Sequence, residues 1–176
     1  MLARDGVSGL TSRAVTEEAG VAKGVMHRHF TDFDGFLAEL VVDRAAQLEE
    51  TASTLRKAAG TGTVVDNLTS ALTAVFTPLC VAVPALVITR DGVRERLREA
   101  GAARFPLIAE GTVMVTAYLT EERVLGRVAL TADVPTLSPT LIGSVHLLFT
   151  DRESDPPDAE ALRKIVVAVL GGVITR

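Results

Sequence analysis

The chain has 176 residues, the length of one ordinary domain or of a small module fused to a larger one. Hydrophobic residues make up 48% and charged residues 23%, which excludes intrinsic disorder because there is ample apolar surface to bury. The formal charge of −4 means that any basic surface must be local. The one cysteine, Cys80, excludes an internal disulfide framework and a cysteine-rich zinc module, and it suits a reducing cytoplasm.

The start of the chain is typical of short helices separated by glycine turns. We predict these helices over residues 1–4, 12–19 and 22–30. Gly6 follows the first of them, and Thr11 or Ser12 can cap the second. Gly20 then ends the second helix and lets the chain reverse before the third.

Helical spacing of apolar residues continues to the end of the chain. Further helices are predicted over residues 32–59, 64–79, 84–89, 92–100, 102–125, 135–149 and 158–174, with a polar loop at 151–157. Strand signals are weak, since no sustained alternation of apolar and polar residues is bounded by hairpin turns. The sequence therefore predicts an all-α fold.

Residues 67–89 carry no charge and are long enough to span a bilayer. This stretch contains several threonines, however, and Pro78 and Pro84 interrupt it. Its first half follows an i, i+3, i+4, i+7 rhythm, which is typical of an amphipathic core helix. The N-terminus also lacks the apolar region of a signal peptide. We therefore expect a soluble protein and no membrane partner, with a membrane-associated helical protein as a lesser alternative.

Residues 6–30 are the most informative part of the sequence, because they predict a helix, a tight turn and a second helix. Five apolar side chains can form a miniature core there: Val15, Ala19, Val21, Met26 and Phe30. If the core side chains point inward, an outer face small enough for a major groove is left, formed by Lys23, Gly24, His27 and Arg28. Ser12 and Arg13, at the start of the preceding helix, are placed to hold a phosphate.

This segment resembles the DNA-binding head of the tetracycline-repressor (TetR) family of transcription regulators. The resemblance lies in DGVSGLTSRAV, EAGVAKGVMHRHF and TDFDGFLAEL. It implies a helix-turn-helix domain over residues 1–47, with an apparently truncated first helix, joined by a long helix to a ligand-binding and dimerisation domain over 48–176. The DNA-binding residues that it implies are Ser12, Arg13, Ala22, Lys23, Gly24, Val25, His27, Arg28 and His29. The sequence departs from the family at Thr16, His27 and Phe33, where Ala, Tyr and Lys are usual.

The resemblance also implies that the second domain senses a small molecule. The predicted helices around 75–87 and 105–118 are apolar nearly all round, so a cavity there would favour a weakly polar ligand. The candidate ligand-binding residues are Phe76, Cys80, Phe105, Thr112 and Tyr118. The alternative is that such side chains are simply packed core. The last two helices carry apolar stripes with Gly143 and Gly171-Gly172, and they are the predicted dimer face.

Together these features predict a cytoplasmic, homodimeric repressor that binds a pseudo-palindromic operator in double-stranded DNA and is released by a small, mostly apolar effector. No catalytic residue, cofactor or metal site is expected, and His27 and His29 point to different sides of their helix. The alternative is an all-α small-molecule-binding protein or enzyme that carries an incidental helix-turn-helix.

Overall fold

The protein is described from a computed structural model, which covers residues 2–22, 24–150 and 157–175, with the backbone alone for Ala3. These residues form ten α-helices: α1 (Leu2–Asp5), α2 (Ser12–Glu18), α3 (Gly24–His29), α4 (Phe33–Lys57), α5 (Val64–Val75), α6 (Pro78–Thr89), α7 (Asp91–Glu99), α8 (Pro106–Val124), α9 (Val134–Thr150) and α10 (Ala159–Leu170). The predicted all-α fold is confirmed. The loop predicted at 151–157 lies outside the described residues except for Pro157.

The chain divides into two compact units. Unit 1 consists of Met1–Ala46 and Pro78–Leu107, and unit 2 consists of Gln47–Thr77 and Ile108–Arg176. The long helix α4 contributes to both units. The domain boundary that the family resemblance implies, between residues 47 and 48, stays a prediction.

Unit 1 joins the first three helices to the first half of α4 and to the α6–α7 pair. Helix α6 packs against both α1 and α7. The interior is aliphatic and includes side chains from α4, α6 and α7: Leu37, Val41, Val83, Leu86, Val87, Val93 and Leu97. Unit 1 therefore buries residues close to the N-terminus together with residues far along the sequence.

Unit 2 is built around α10, which packs against α5 and α9. Its fully buried side chains include Leu68, Leu72, Tyr118, Leu119, Leu141, Leu162, Val166 and Leu170. After α10 the chain forms an isolated antiparallel bridge between Val128 and Ile174, the one β-bridge among the described residues. Leu162 and Val166, on the apolar stripe of the last helix, lie in the core of unit 2 itself.

The prediction of one helix over 64–79 is wrong, because α5 ends at Val75 and α6 begins at Pro78. Phe76 has φ −80° and ψ 63°, which lies outside the helical region. Thr77 precedes a proline, and the proline ring disfavours helical geometry at that position. Proline is in turn well suited to the first position of the next helix. Among the described residues no single helix is long and apolar enough to cross a bilayer, and α5 and α6 reach that length only as a broken pair.

Two other predicted helix starts differ from the structure. Pro84 lies inside α6 rather than at its start, and its neighbours Val83, Leu86 and Val87 are buried, which offsets the lost helical hydrogen bond. Helix α8 begins at Pro106, not at Ala102. The N–H of Ala102 instead donates to the carbonyl of Leu97 at 2.9 Å and closes the C-terminus of α7.

Candidate nucleic-acid interface

The turn between α2 and α3 is set by caps at both ends of α2. The Thr11 side chain accepts a hydrogen bond from the N–H of Ala14 at 3.2 Å, so Thr11 is the N-cap. At the other end, the N–H of Val21 donates to the carbonyl of Thr16, and that of Gly20 donates to Glu17. This is a Schellman motif, and it needs the positive φ of +66° that Gly20 adopts. The predicted glycine turn is confirmed.

Helix α3 presents most of its side chains to solvent. Gly24, His27, Arg28 and His29 are exposed, as is Ala22 in the turn, whereas Val25 is half-buried and Met26 points inward. Lys23, which belongs to the predicted DNA-binding set, lies outside the described residues. The exposed donors of α3 have the size and chemistry that a major groove accepts.

Polar side chains on α2 bond to the protein itself. The buried Thr16 hydroxyl donates to the carbonyls of Ser12 and Arg13 at 3.0 and 2.9 Å, so this departure from the family's usual alanine is satisfied within its own helix. The Ser12 hydroxyl donates to the sulfur of Met26 at 3.1 Å and thus links the starts of α2 and α3. The phosphate-holding role of Ser12 stays a prediction.

The miniature core predicted between α2 and α3 is only partly buried. Its five side chains line one apolar cleft of about 200 Å³, together with Thr16, Val25 and Phe36. Met26 is buried, but Ala19 is exposed and Val21 keeps 43% of its surface in solvent. The prediction is therefore right about which side chains come together and wrong about their burial, because the cleft opens to the surface.

Two arginines at the start of the chain form ion pairs with carboxylates of α1 and α2. The Arg4 guanidinium lies 2.8 Å from both Asp5 and Glu18, and that of Arg13 lies 2.7 Å from Glu17. The Arg4 guanidinium lowers the pKa of both of its partner carboxyls. Arg28, by contrast, forms no ion pair with any described residue. Exposed pairs are worth about 0–1 kcal/mol, so Arg13 can leave Glu17 for a phosphate at little cost.

The predicted ligand-binding residues fall into both units. In unit 2, Tyr118 is fully buried and its hydroxyl accepts a hydrogen bond from Asn67 at 2.9 Å. Burial, and after it the neighbouring Glu122, raise the pKa of Tyr118. Phe76 packs at 5.5 Å from the Phe149 ring, and the Thr112 hydroxyl donates to its own helix.

The other two predicted ligand-binding residues, Cys80 and Phe105, are half-buried members of unit 1. The structure thus brings Phe76, Thr112 and Tyr118 into one unit, and their ligand-binding role stays a prediction. Asn67 was not among the predicted residues. Its amide holds the α4–α5 loop by donating to the carbonyls of Ala58 and Thr61, and it also lines a cleft of about 640 Å³ in unit 2. A lone Asn in a helical pattern gives no signal of such a role.

Among the described residues, no three His, Cys, Asp or Glu side chains are grouped so that they could hold a metal ion.

Comparisons with known proteins agree with the resemblance. Residues 1–40 match the family model of bacterial regulatory proteins, tetR family. A transcriptional regulator of the TetR family from Agrobacterium tumefaciens has the same fold, with a TM-score of 0.72, 17% identity and coverage of 99% of this chain and 92% of that one. The ketosteroid transcriptional regulator KstR2 of Mycobacterium tuberculosis is similar with a TM-score of 0.60, 21% identity and coverage of 100% and 90%. No curated protein sequence matches the chain. The resemblance to the TetR family is confirmed, by sequence in the first 40 residues and by fold over the whole chain.

Proposed function

From this TetR-type head and fold, we propose that the chain is a homodimeric transcriptional repressor of the cytoplasm that binds a pseudo-palindromic operator in double-stranded DNA. The observation that carries the proposal is the α2–α3 arrangement, in which the Schellman turn at Gly20 leaves the basic face of α3 exposed. Arg28 would bind a phosphate or a base edge from this face, and Lys23, just before α3 in the sequence, stays a predicted contact.

Two heads are needed to read a pseudo-palindrome, because each helix-turn-helix contacts one half-site about one helical turn from the other. The proposed dimer face is formed by α9 and α10. Leu147 on α9 and Val167 on α10 keep 67% and 47% of their surface exposed and would be covered in such a dimer. A Cβ at Gly143 would meet nothing within 4 Å, so the backbone of α9 is open to close approach by a second helix.

A small, mostly apolar effector is proposed to bind the helical body and to release the protein from DNA. Such a ligand acts only if it binds one head spacing better than the other. The candidate contacts are Phe76, Thr112 and Tyr118, which all belong to unit 2. In support, Phe76 and Tyr118 present large buried rings in unit 2.

Selection of genomic DNA fragments with the purified protein tests this function. We expect recovery of a sequence with two half-sites. Arg28→Gln is expected to lower the affinity for it and to lower the magnitude of the slope of log affinity against log salt by about 0.9 per protomer, the value of one phosphate contact in each head. Arg56→Gln is the matched control, because Arg56 is paired with Glu49 in unit 2. Failure to select any sequence, or equal loss with both variants, contradicts the proposal. A compound screen for release of the bound fragment then tests the effector.

A further inference from the structure

The first turn of α4 is held by residues from the α6–α7 junction of the same unit. Asp32 caps α4, since its Oδ1 accepts a hydrogen bond from the N–H of Gly35 at 2.8 Å, and its other carboxylate oxygen pairs with Arg96. The hydrogen bond from Gly35, and to a lesser degree the Arg96 guanidinium, lower the pKa of Asp32. One carboxylate thus joins the start of α4 to α7.

Arg90 makes the second link. Its Nε and Nη2 lie 2.7 and 2.6 Å from Oδ1 of Asp34, and both side chains are more than two-thirds shielded, with 29% and 27% exposed. Gly92 approaches so closely that an added Cβ would lie 2.9 Å from Cγ of Asp34. The Asp34 carboxylate is therefore confined between Arg90 and the backbone of α7.

A series of rings continues from Arg90 to the end of α3. The Arg90 guanidinium lies over the Phe33 ring at 5.2 Å from its centroid. Phe33 stacks on Phe36 at 6.0 Å, and Phe36 meets Phe30 edge-on at 5.1 Å. Phe30 directly follows α3, and its N–H donates to the carbonyl of Met26. Contiguous packing thus runs from Arg90 to the exposed helix of the head.

We propose that Arg90 is a positioning residue for DNA binding: it sets the orientation of α3 through Asp34 and through the rings of Phe33, Phe36 and Phe30. This inference rests on the proposed function in so far as α3 binds DNA. Arg90 itself need not touch a phosphate, because its guanidinium is engaged by a carboxylate and a ring. Packed side chains couple two residues energetically only if the effects of substituting each of them on DNA affinity do not add up in the double variant.

The test measures the affinity of Arg90→Gln, Asp34→Asn and the double variant for the fragment that the wild type selects, at several salt concentrations and well below the melting temperature. Arg90→Gln is expected to weaken binding about tenfold, or about 1.4 kcal/mol, with the salt slope unchanged. The double variant is expected to be no weaker than the worse single variant. Arg90→Lys keeps the charge and is expected to restore part of the affinity.

Arg98→Gln is the matched control. Arg98 lies on α7, of which Arg90 is the N-cap, and it also pairs with an acid, Glu95, but with 71% and 56% of the two side chains in solvent. Unchanged affinity in Arg90→Gln, or additive losses in the double variant, overturns the inference. A salt slope whose magnitude is lowered by about 0.9 per protomer also overturns it, because that loss indicates a direct phosphate contact by Arg90 in each head.

Hydrogen exchange separates this inference from the proposed function. Arg90→Gln is expected to speed exchange at the amides of α3 and of the first turns of α4, whereas Arg98→Gln leaves them unchanged. If the wild type selects no DNA, the proposed function fails and this measurement still decides whether Arg90 positions α3. Equal protection of α3 in wild type and Arg90→Gln overturns the inference whether or not DNA is bound.

Discussion

The carboxylate of Glu122 is completely buried, and its Oε2 lies 3.3 Å from Nε of Arg127 across the turn that ends α8. Glu122 Oε2 accepts no well-aligned hydrogen bond from any described residue. Arg127 also donates to the carbonyls of Thr61 and Gly62 in the α4–α5 loop. Oε1 of Glu122 accepts a hydrogen bond from the N–H of Gly60 at 3.4 Å. Among the described residues Arg127 is the one cation paired with this buried carboxylate, and it also holds a neighbouring loop.

Arg127→Met is therefore expected to lower the free energy of unfolding by about 3 kcal/mol, because it leaves the buried Glu122 carboxylate without its cationic partner. Adding Glu122→Gln to the same chain removes the unpaired charge, and it is expected to recover part of the loss. Urea denaturation of the three proteins measures these differences. Arg163→Met is the control, since Arg163 and Asp66 form an exposed pair, and a loss there as large as in Arg127→Met would contradict the explanation.

His146 on α9 makes the stability of unit 2 depend on pH. Burial beside Phe76 lowers the pKa of His146, so the unfolded chain binds a proton at a higher pH than the folded protein does. The contribution of His146 to the free energy of unfolding is therefore complete above about pH 7. It is lost as the pH falls from about 6.5, the usual pKa of histidine, to the lower pKa of His146 in the folded protein.

We expect the melting temperature to fall between about pH 7.5 and 5.5, and His146→Phe to reduce that fall. His29→Gln, at an exposed histidine, is the control, and it is expected to show the same fall in melting temperature as the wild type. An unchanged pH profile in His146→Phe would show that other groups cause the dependence.

Gly20 and Gly24 lie at the two ends of one turn, but only Gly20 has a backbone conformation that favours glycine. Gly20 has φ +66°, so Gly20→Ala is expected to cost about 1 kcal/mol of stability. A Cβ at Gly24 would meet nothing within 4 Å, and Gly24→Ala is expected to gain up to about 0.5 kcal/mol because alanine favours a helix.

If the backbone at Gly24 approaches DNA, Gly24→Ala lowers operator affinity in spite of its added stability. Thermal unfolding and DNA titration of the same samples check both statements. Operator affinity equal to wild type would remove Gly24 from the set of DNA-contacting residues.

Glu17 pairs with Arg13 and so competes with any phosphate for it. Glu17→Gln is expected to strengthen binding to the selected fragment a few-fold. It is also expected to raise the magnitude of the salt slope by up to about 0.9 per protomer, since each Arg13 then releases a counterion of the DNA. Titrations at several salt concentrations measure both effects. Glu49→Gln is the control: it changes a similar pair on α4 and should alter neither the affinity nor the salt slope. Weaker binding by Glu17→Gln would exclude Arg13 from the interface.

The dimer face is tested by charges at its most exposed apolar positions. Leu147→Glu with Val167→Glu is expected to shift the protein from dimer to monomer, because burying two carboxylates per protomer opposes association. Light scattering during gel filtration gives the mass. Val113→Glu, at an exposed valine of α8, is the control. A monomeric wild type would overturn the proposed dimer.

Local signals allowed most of the helices to be predicted. Thr11, one of the two predicted caps, is the N-cap of α2, and Gly20 ends α2 by its positive φ. These features depend on residues within one or two turns. The helix predicted across 76–77 was wrong because the effect of Pro78 on the preceding residue was given less weight than the apolar rhythm.

The links from Asp34 to Arg90 and from Asn67 to Tyr118 could not be predicted from the sequence. Each joins two helices that are distant along the chain, and a charged or amide side chain in a helical pattern is most often solvated. The open cleft of the head was missed for a related reason, because periodicity indicates which apolar side chains meet but not how completely they are covered.

The carboxylates that occupy Arg4 and Arg13 bear on how the proposed regulator would behave in a living cell. As long as these pairs persist in the complex, the head releases few ions on binding DNA, and its affinity falls little as the salt concentration rises. Occupancy of the operator would then follow the abundance of the effector rather than the ionic strength around the protein.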